Sequence, residues 1–227
     1  MLNWAVRYFP IVRVLKRHVR NEDRILEIGS GSFGLARFYP GPVVGCDLIF
    51  PSLPQSNLLP VRCTGTQLPF VDSCFQAVVV SDVLEHVPPD ERLGVIREAL
   101  RVSCKLAVFG FPYGKRAHVL DEHFLEFHRR IAVPPPRWLE EHMLFPFPEE
   151  ELFRGLNDGW KVEAFGNEHL GFHDWVNRRE ISRVWSLFFC GCLRIAPSVV
   201  EALLRLADRP PFYRMIFVVT RTSNQGK

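Results

Sequence analysis

Gly29, Gly31 and Gly34 close the apolar run Arg24-Ile25-Leu26-Glu27-Ile28, a pattern that reads as a buried strand stopping at a glycine turn. Such a turn lets the backbone approach a ligand closely, and a helix restarting after it aims unpaired N–H groups at the same place. Asp47 lies twenty positions after Glu27, at the end of a second apolar run, Val43-Val44-Gly45-Cys46. In a strand–helix–strand unit that is where a carboxylate meets ribose hydroxyls, so the pair of features points to a nucleotide cofactor. His86 comes after the apolar run 76–81, at the carboxyl edge where ligands of open α/β sheets bind. Its imidazole titrates near neutrality, which makes it the first candidate for a general base, with helix capping or packing as the alternative. Taken alone, the three glycines and Asp47 also fit a nicotinamide-dependent oxidoreductase.

Residues downstream of the loop narrow the choice. Gln67-Leu68-Pro69-Phe70, then Phe75, then Leu84-Glu85-His86-Val87 come in order after the glycine turn. Over residues 23–113 this combination resembles the class I S-adenosylmethionine (SAM) dependent methyltransferases, in the branch that carries an LPF and LEHV signature. The resemblance implies a Rossmann-like seven-stranded α/β sheet flanked by helices, with an antiparallel terminal hairpin and an inserted helical cap. It implies SAM as cofactor and assigns roles by position. Gly29, Ser30 and Gly31 would pass the methionine moiety, Glu27 would organise the amino-acid end, and Asp47, with Leu48 beside it, would take the ribose diol. Thr64 and Gly65 would edge the adenine, Leu68 would lie near its face, and Ser81 and Asp82 would lie by the sulfonium. Simpler readings stand beside these: Glu27 as a cap on the following turn, Asp47 as a solvated strand-end acid, Thr64 bonded to its own backbone. Phe33, Thr64 and Gln76 stand where the family usually has a glycine, an acid and an aspartate. They motivate a second hypothesis, a catalytically degenerate SAM-binding protein acting as a scaffold or membrane-surface partner.

Periodicity supplies the elements that must hold these residues. Apolar runs bounded by turn residues predict strands near 24–29, 43–47, 58–62, 76–81, 105–111, 160–165 and 213–220. Pro88-Pro89-Asp90-Glu91 opens a helix to about Val102, with Leu93, Ile96 and Leu100 expected to face the sheet. A domain over 23–227 is expected to carry insertions at about 113–157 and 167–212. The first includes a stiff Pro134-Pro135-Pro136 break and a helix from Pro148; the second is helical over 181–206 with a break at Pro197. The tail after Arg221 reads as disordered.

Composition sets the outer bounds. With 227 residues, 47% apolar content and a net charge of +3, the chain suits one α/β domain and gives no case for nucleic-acid binding. Residues 1–22 form a basic arm, since Arg7, Arg13, Lys16, Arg17 and Arg20 meet no acid before position 21. The arm reads as one or two helices packed on the domain edge, as a lid on the cofactor mouth, or as a peripheral membrane contact through residues 1–20; Pro10 is expected to split it. Six cysteines without a Cys-x-x-Cys pair suit a reducing cytosol and no structural zinc. No signal peptide is apparent, and Trp185 to Leu193 is too short to span a bilayer, so a cytoplasmic protein, soluble or peripheral at the inner membrane surface, is expected. His118, His123, His128 and His142 form a loose set whose five-residue steps from 118 to 128 do not stack on one helical face, so no metal is expected; His123 is the second candidate base. Trp175, Trp185, Phe188 and Phe189 read either as core or as a pocket for an apolar acceptor. Trp138-Leu139-Glu140-Glu141-His142 with Pro148 after it loosely resembles methyltransferases of bacterial glycan and lipid-conjugate pathways. That tilts the acceptor towards a small-molecule, glycan- or lipid-linked group methylated on oxygen or nitrogen. Oligomeric state is left open.

Overall fold

In a computed structural model, which describes residues 1–156 and 159–222, seven strands form one sheet in the order β3-β2-β1-β4-β5-β7-β6. They are β1 (Ile25–Ile28), β2 (Val43–Asp47), β3 (Leu58–Arg62), β4 (Phe75–Ser81), β5 (Ser103–Pro112), β6 (Trp160–His169) and β7 (Phe212–Arg221). The first five run parallel, while β7 is antiparallel to both β5 and β6. This is the expected Rossmann-like sheet with its antiparallel end. The central parallel strands read as unbroken apolar runs because both of their faces are covered. Alternation sorts the side chains: Ile25, Ala77 and Val79 face one layer, Leu26, Val78 and Val80 the other.

The first layer is α1 (Leu2–His18), whose Ile11 and Leu15 pack against Ile25, Val79, Val108 and Ile216. α1 is a single helix with Pro10 inside it, not the two pieces expected. A mid-helix proline costs about 3 kcal/mol, but each aliphatic side chain buried on that face returns about 1.5–3 kcal/mol. Tyr8, Ile11 and Val12, on both sides of Pro10, are all buried there. The segment is therefore part of the core, and its apolar stripe is not free to meet a membrane. The second layer is α2 (Arg92–Val102), which packs Val95, Ile96 and Ala99 on the sheet. Leu93 turns outward, 40% exposed, and Arg92 turns inward instead, its guanidinium donating to the carbonyls of Val87 and Pro146.

After β1 no α-helix restarts. Only a 3-10 turn, Leu35–Arg37, forms before Pro40-Gly41-Pro42 leads into β2. The reason is tertiary: Leu35, Ala36 and Tyr39 pack against α1, which already covers the ground a longer helix would occupy.

Between β5 and β6 lie α3 (Gly114–Arg130) and α4 (Arg137–Glu141), and a 3-10 turn over Glu150–Phe153 replaces the expected helix. Between β6 and β7 lie α5 (Leu170–Glu180), α6 (Arg183–Ile195) and α7 (Pro197–Leu204), so the helical segment starts after His169 and not at 167. Of the four aromatic residues 175, 185, 188 and 189, only Phe189 is buried; Trp175, Trp185 and Phe188 lie on the surface, so they form neither core nor pocket. The expected end of the first insertion at 157 and most of the tail after Arg221 lie outside the described residues. Among the described residues no single helix is long and apolar enough to cross a membrane.

Candidate functional site

The glycine turn is built for close approach. Gly29 has φ +77°, and a Cβ there would lie 2.2 Å from Val83 Cγ2, so no side chain fits. Its N–H and that of Ser30 both donate to the Cys46 carbonyl, which draws the loop across the end of β2. Asp47 then ties the loop down: Oδ2 accepts from the Gly31 N–H at 2.7 Å, and Oδ1 accepts from the Ile49 N–H at 3.2 Å. The loop and the carboxylate thus converge at one edge of the sheet.

Glu27 sits behind this loop. It is completely buried, with Oε1 accepting from the Tyr8 hydroxyl at 2.8 Å and Oε2 from the Leu35 N–H at 2.7 Å. It caps the 3-10 turn, the simpler of its two readings, and does not border the cavity beside Gly29. Burial pushes its carboxyl up to about 7, against the bonds from Leu35 and Tyr8 that favour the charged form. The folded chain therefore holds a proton that the unfolded chain loses near 4.5, so stability falls as pH rises from about 4.5 to 7, by about 3 kcal/mol in total. Glu27→Gln keeps an oxygen acceptor and removes the titration. Urea unfolding between pH 4.5 and 8 is expected to show that decline in the native chain and to lack it in the variant; identical pH profiles would contradict the assignment.

A cavity of about 640 Å³ opens beside the turn, bordered by Gly29, Asp47, Leu48, Thr64, Gly65 and, at its inner end, Asp82 and His86. A second cavity of about 560 Å³ lies on the other side of Asp82 and His86, which border both. Its wall mixes Arg7, His128, His142, His173 and Arg214 with Trp4, Phe124 and Trp138.

Asp82, at the junction, is held rigidly. It comes directly after β4 in a left-handed conformation, φ +51°, uncommon for a residue with a side chain. Its Oδ1 and Oδ2 accept a two-pronged bond from Arg214 Nε and Nη2 at 3.0 and 2.8 Å, and Arg7 Nη2 lies 2.7 Å from Oδ2. Burial alone would raise its carboxyl, but Arg214 and Arg7 outweigh that and hold it down to about 2. The remaining arm of Arg214, Nη1, donates to Glu168 Oε2 at 2.9 Å, and His173 Nδ1 lies 3.1 Å from Glu168 Oε1. Burial, and then the neighbouring His142, lower His86 to about 4, so at neutral pH its imidazole is uncharged. Burial, with Asp82 nearby, pushes Glu85 well above the usual carboxylate range.

Of the residues singled out from sequence, Gly29, Asp47, Leu48, Thr64, Gly65, Asp82 and His86 share the first cavity. The others lie elsewhere. Ser30 is buried with its hydroxyl on the Gly31 carbonyl, Gly31 faces Asp47, Leu68 is in the core under α2, and Ser81 is buried at the end of β4. His123 is exposed on α3, away from both cavities. Sequence reasoning missed Tyr8, Arg7, Arg214, Glu168 and His173. The local signal that could have found one of them is an arginine amid the apolar run of β7.

The model of the methyltransferase domain family matches residues 26–109. No curated protein sequence matches the chain. Among solved structures, a candidate sarcosine dimethylglycine methyltransferase from Galdieria sulphuraria is similar with TM-score 0.54 at 12% identity, over 99% of this chain and 85% of that one. Magnesium protoporphyrin IX methyltransferase from Synechocystis PCC 6803, solved with bound SAH, is similar with TM-score 0.50 at 14% identity, over 94% and 81%. A cyclase is as similar, TM-score 0.52 at 13% identity over 94% and 80%. These likenesses establish the fold and leave the reaction to the site.

Proposed function

We propose that the protein is a SAM-dependent methyltransferase acting on a small-molecule, glycan- or lipid-linked acceptor at oxygen or nitrogen, a reading supported by the match of the methyltransferase domain model to residues 26–109. The observation that carries this reading is the meeting of two cavities at Asp82 and His86. The first cavity fits an adenosyl group in size, in the side-chain-free approach at Gly29, and in the anchored carboxylate of Asp47. SAM supplies an electrophilic methyl on a sulfonium, so the protein need not provide a nucleophile.

What the chain must do is position and deprotonate. Asp47 accepts from the ribose hydroxyls, and Thr64 and Gly65 edge the base. Asp82, kept ionised by Arg214 and Arg7, places negative charge at the end of the cavity where a sulfonium would lie. The acceptor occupies the second cavity, whose aromatic and polar wall suits a polar ring or sugar. Uncharged His86 at the junction would take the proton that an acceptor hydroxyl or amine loses as its lone pair bonds to the methyl carbon, the carbon–sulfur bond breaking to leave SAH.

Calorimetric titration of the full-length chain with SAH, and label transfer from methyl-labelled SAM to small molecules of a cell extract, test this reading. Binding and one labelled product class are expected. Absence of any SAH response at about 1 mM would remove it.

A further inference from the structure

Glu85 is completely buried, and neither of its carboxylate oxygens has a hydrogen-bond partner among the described residues. It lies between two imidazoles. Nε2 of His86 and Nε2 of His142 are each 3.9 Å from Glu85 Oε1, and one donor atom of each residue lies within 4.8 Å of the other two. The far sides of both rings meet carboxylates: His142 Nδ1 is 2.6 Å from Asp121 Oδ2, and His86 Nδ1 is 3.3 Å from Glu141 Oε2. An ionised carboxylate only accepts, so Asp121, itself bonded by the Tyr213 hydroxyl at 2.9 Å, keeps the proton of His142 on Nδ1 and leaves the Nε2 lone pair towards Glu85.

A separation of 3.9 Å is too long for a hydrogen bond, and a buried carboxylate without a donor is costly. Two imidazole nitrogens and one carboxylate oxygen, backed by carboxylates on the opposite ring nitrogens, make the donor set of a transition-metal site. We propose that Glu85, His86 and His142 bind a divalent transition-metal cation of the zinc class. Metal–ligand distances of about 2.0–2.2 Å put donors about 3.3 Å apart, so each imidazole nitrogen closes on Glu85 Oε1 by roughly half an ångström. Imidazole nitrogen favours this class over magnesium or calcium. Both imidazoles border the second cavity, which gives the ion a way in, and three protein donors leave a position for water or an acceptor oxygen. The site deepens the methyltransferase reading, on which its use in the reaction rests: with the ion bound, the His86 lone pair holds the metal and no longer takes the acceptor's proton, and a metal-bound acceptor hydroxyl would lose that proton to water of the second cavity. The sequence hid it because the grouping joins the turn after β4 to the residue after α4, not neighbours on one helix.

Zn²⁺ alone is titrated into the chelator-stripped full-length chain, bound metal is counted by elemental analysis after dialysis, and the same samples are titrated with SAH. One equivalent is expected in the native chain, with affinity reduced at least about tenfold in Glu85→Gln, His142→Ala and His86→Ala. Circular dichroism identifies any variant that does not fold, and half-buried His86 keeps the comparison available if the two buried changes fail. No retained zinc, or zinc retained equally by the folded variants and lost in Cys46→Ser/Cys63→Ser, whose Sγ atoms lie 2.7 Å apart, would overturn the site. Zinc binding without SAH binding would leave the site standing and remove the methyltransferase reading.

A different surface carries a second inference. On α6 and α7, Val184, Leu187, Phe188, Ile195, Val199 and Leu203 are each more than half exposed. Every exposed charged residue from 179 to 209 is an arginine, namely Arg179, Arg183, Arg194, Arg205 and Arg209. Of the three acids of that stretch, Glu180 is engaged by the Met1 amine, Asp208 by Arg13, and Glu201 by both Arg13 and Arg205, which leaves Arg179, Arg183, Arg194 and Arg209 without a carboxylate partner among the described residues. The two helices meet at a bend of 111°, and neither is long enough to cross a bilayer. We infer that this face lies on an anionic lipid bilayer, its apolar side chains at the headgroup boundary and its arginines on the phosphates. Ile181, just before α6, also borders the second cavity, so docking brings the acceptor site to the lipid surface.

Flotation of the full-length chain with phosphatidylcholine vesicles, with and without phosphatidylglycerol, reads this out. Recovery with the anionic vesicles is expected, reduced at least about tenfold in Leu187→Asp/Phe188→Asp, which alters exposed positions and leaves the melting temperature unchanged. No flotation, or equal flotation of the variant, would overturn the inference. So would a dimer in sedimentation that the variant abolishes, since a second copy would then cover the face.

Discussion

Asp47→Ala is expected to weaken SAH binding roughly 100-fold in a calorimetric titration. The carboxylate does not wait free at the end of β2: Gly31 and Ile49 N–H groups already orient it, one on each oxygen. An ionised carboxylate has about four acceptor positions, so two remain for a ribose diol. Two charge-assisted bonds of about 1.5 kcal/mol each give the 100-fold figure. Asp47→Asn separates the two duties, because an amide oxygen still accepts from Gly31 while the amide nitrogen cannot accept from the ribose. It is expected to fall between the native chain and Asp47→Ala. Native affinity in both variants would mean that the cofactor lies elsewhere.

The largest effect on stability is expected from Arg214→Met. Arg214 is 1% exposed, and its three nitrogens serve Asp82 and Glu168, both buried carboxylates on left-handed backbone. Methionine is of similar length and apolar, so the loss is electrostatic: two buried anions keep only Arg7 and His173 as partners. Breaking a buried pair from one side costs about 3–5 kcal/mol. For a domain of this size that corresponds to a fall of roughly 10 °C in melting temperature. Arg214→Lys restores charge but not the fork, and is expected to recover only part of the loss. An unchanged melting temperature in Arg214→Met would show that the cluster does not contribute to folding.

Much of the sheet was legible because strands buried on both faces announce themselves as apolar runs. Each predicted strand overlaps an observed one; β1 is a residue shorter at each end, and β6 runs on to His169, where it still pairs with Phe212. The glycine turn and Asp47 were legible because backbone approach demands glycine and the spacing is local. The missing helix after Gly34 was not, since α1 arrives from the chain terminus to take its place, which no local pattern records. The same holds for the junction. Arg214 reaches Asp82 across 132 positions, and Tyr8 reaches Glu27 from a segment that reads simply as a basic arm. Glu85 and His142 stand in two motifs that lie far apart in sequence and meet only because α4 folds back over the turn after β4.

The central claim is that an adenosyl group lies between the Gly29 turn and Asp47 with its sulfur at the junction of the two cavities. A crystal structure of the SAH complex tests it most directly. Ribose hydroxyls are expected within hydrogen-bond distance of Asp47, and the sulfur beside Asp82 and His86, facing the second cavity. SAH bound elsewhere, or with its sulfur turned away from that cavity, would contradict it.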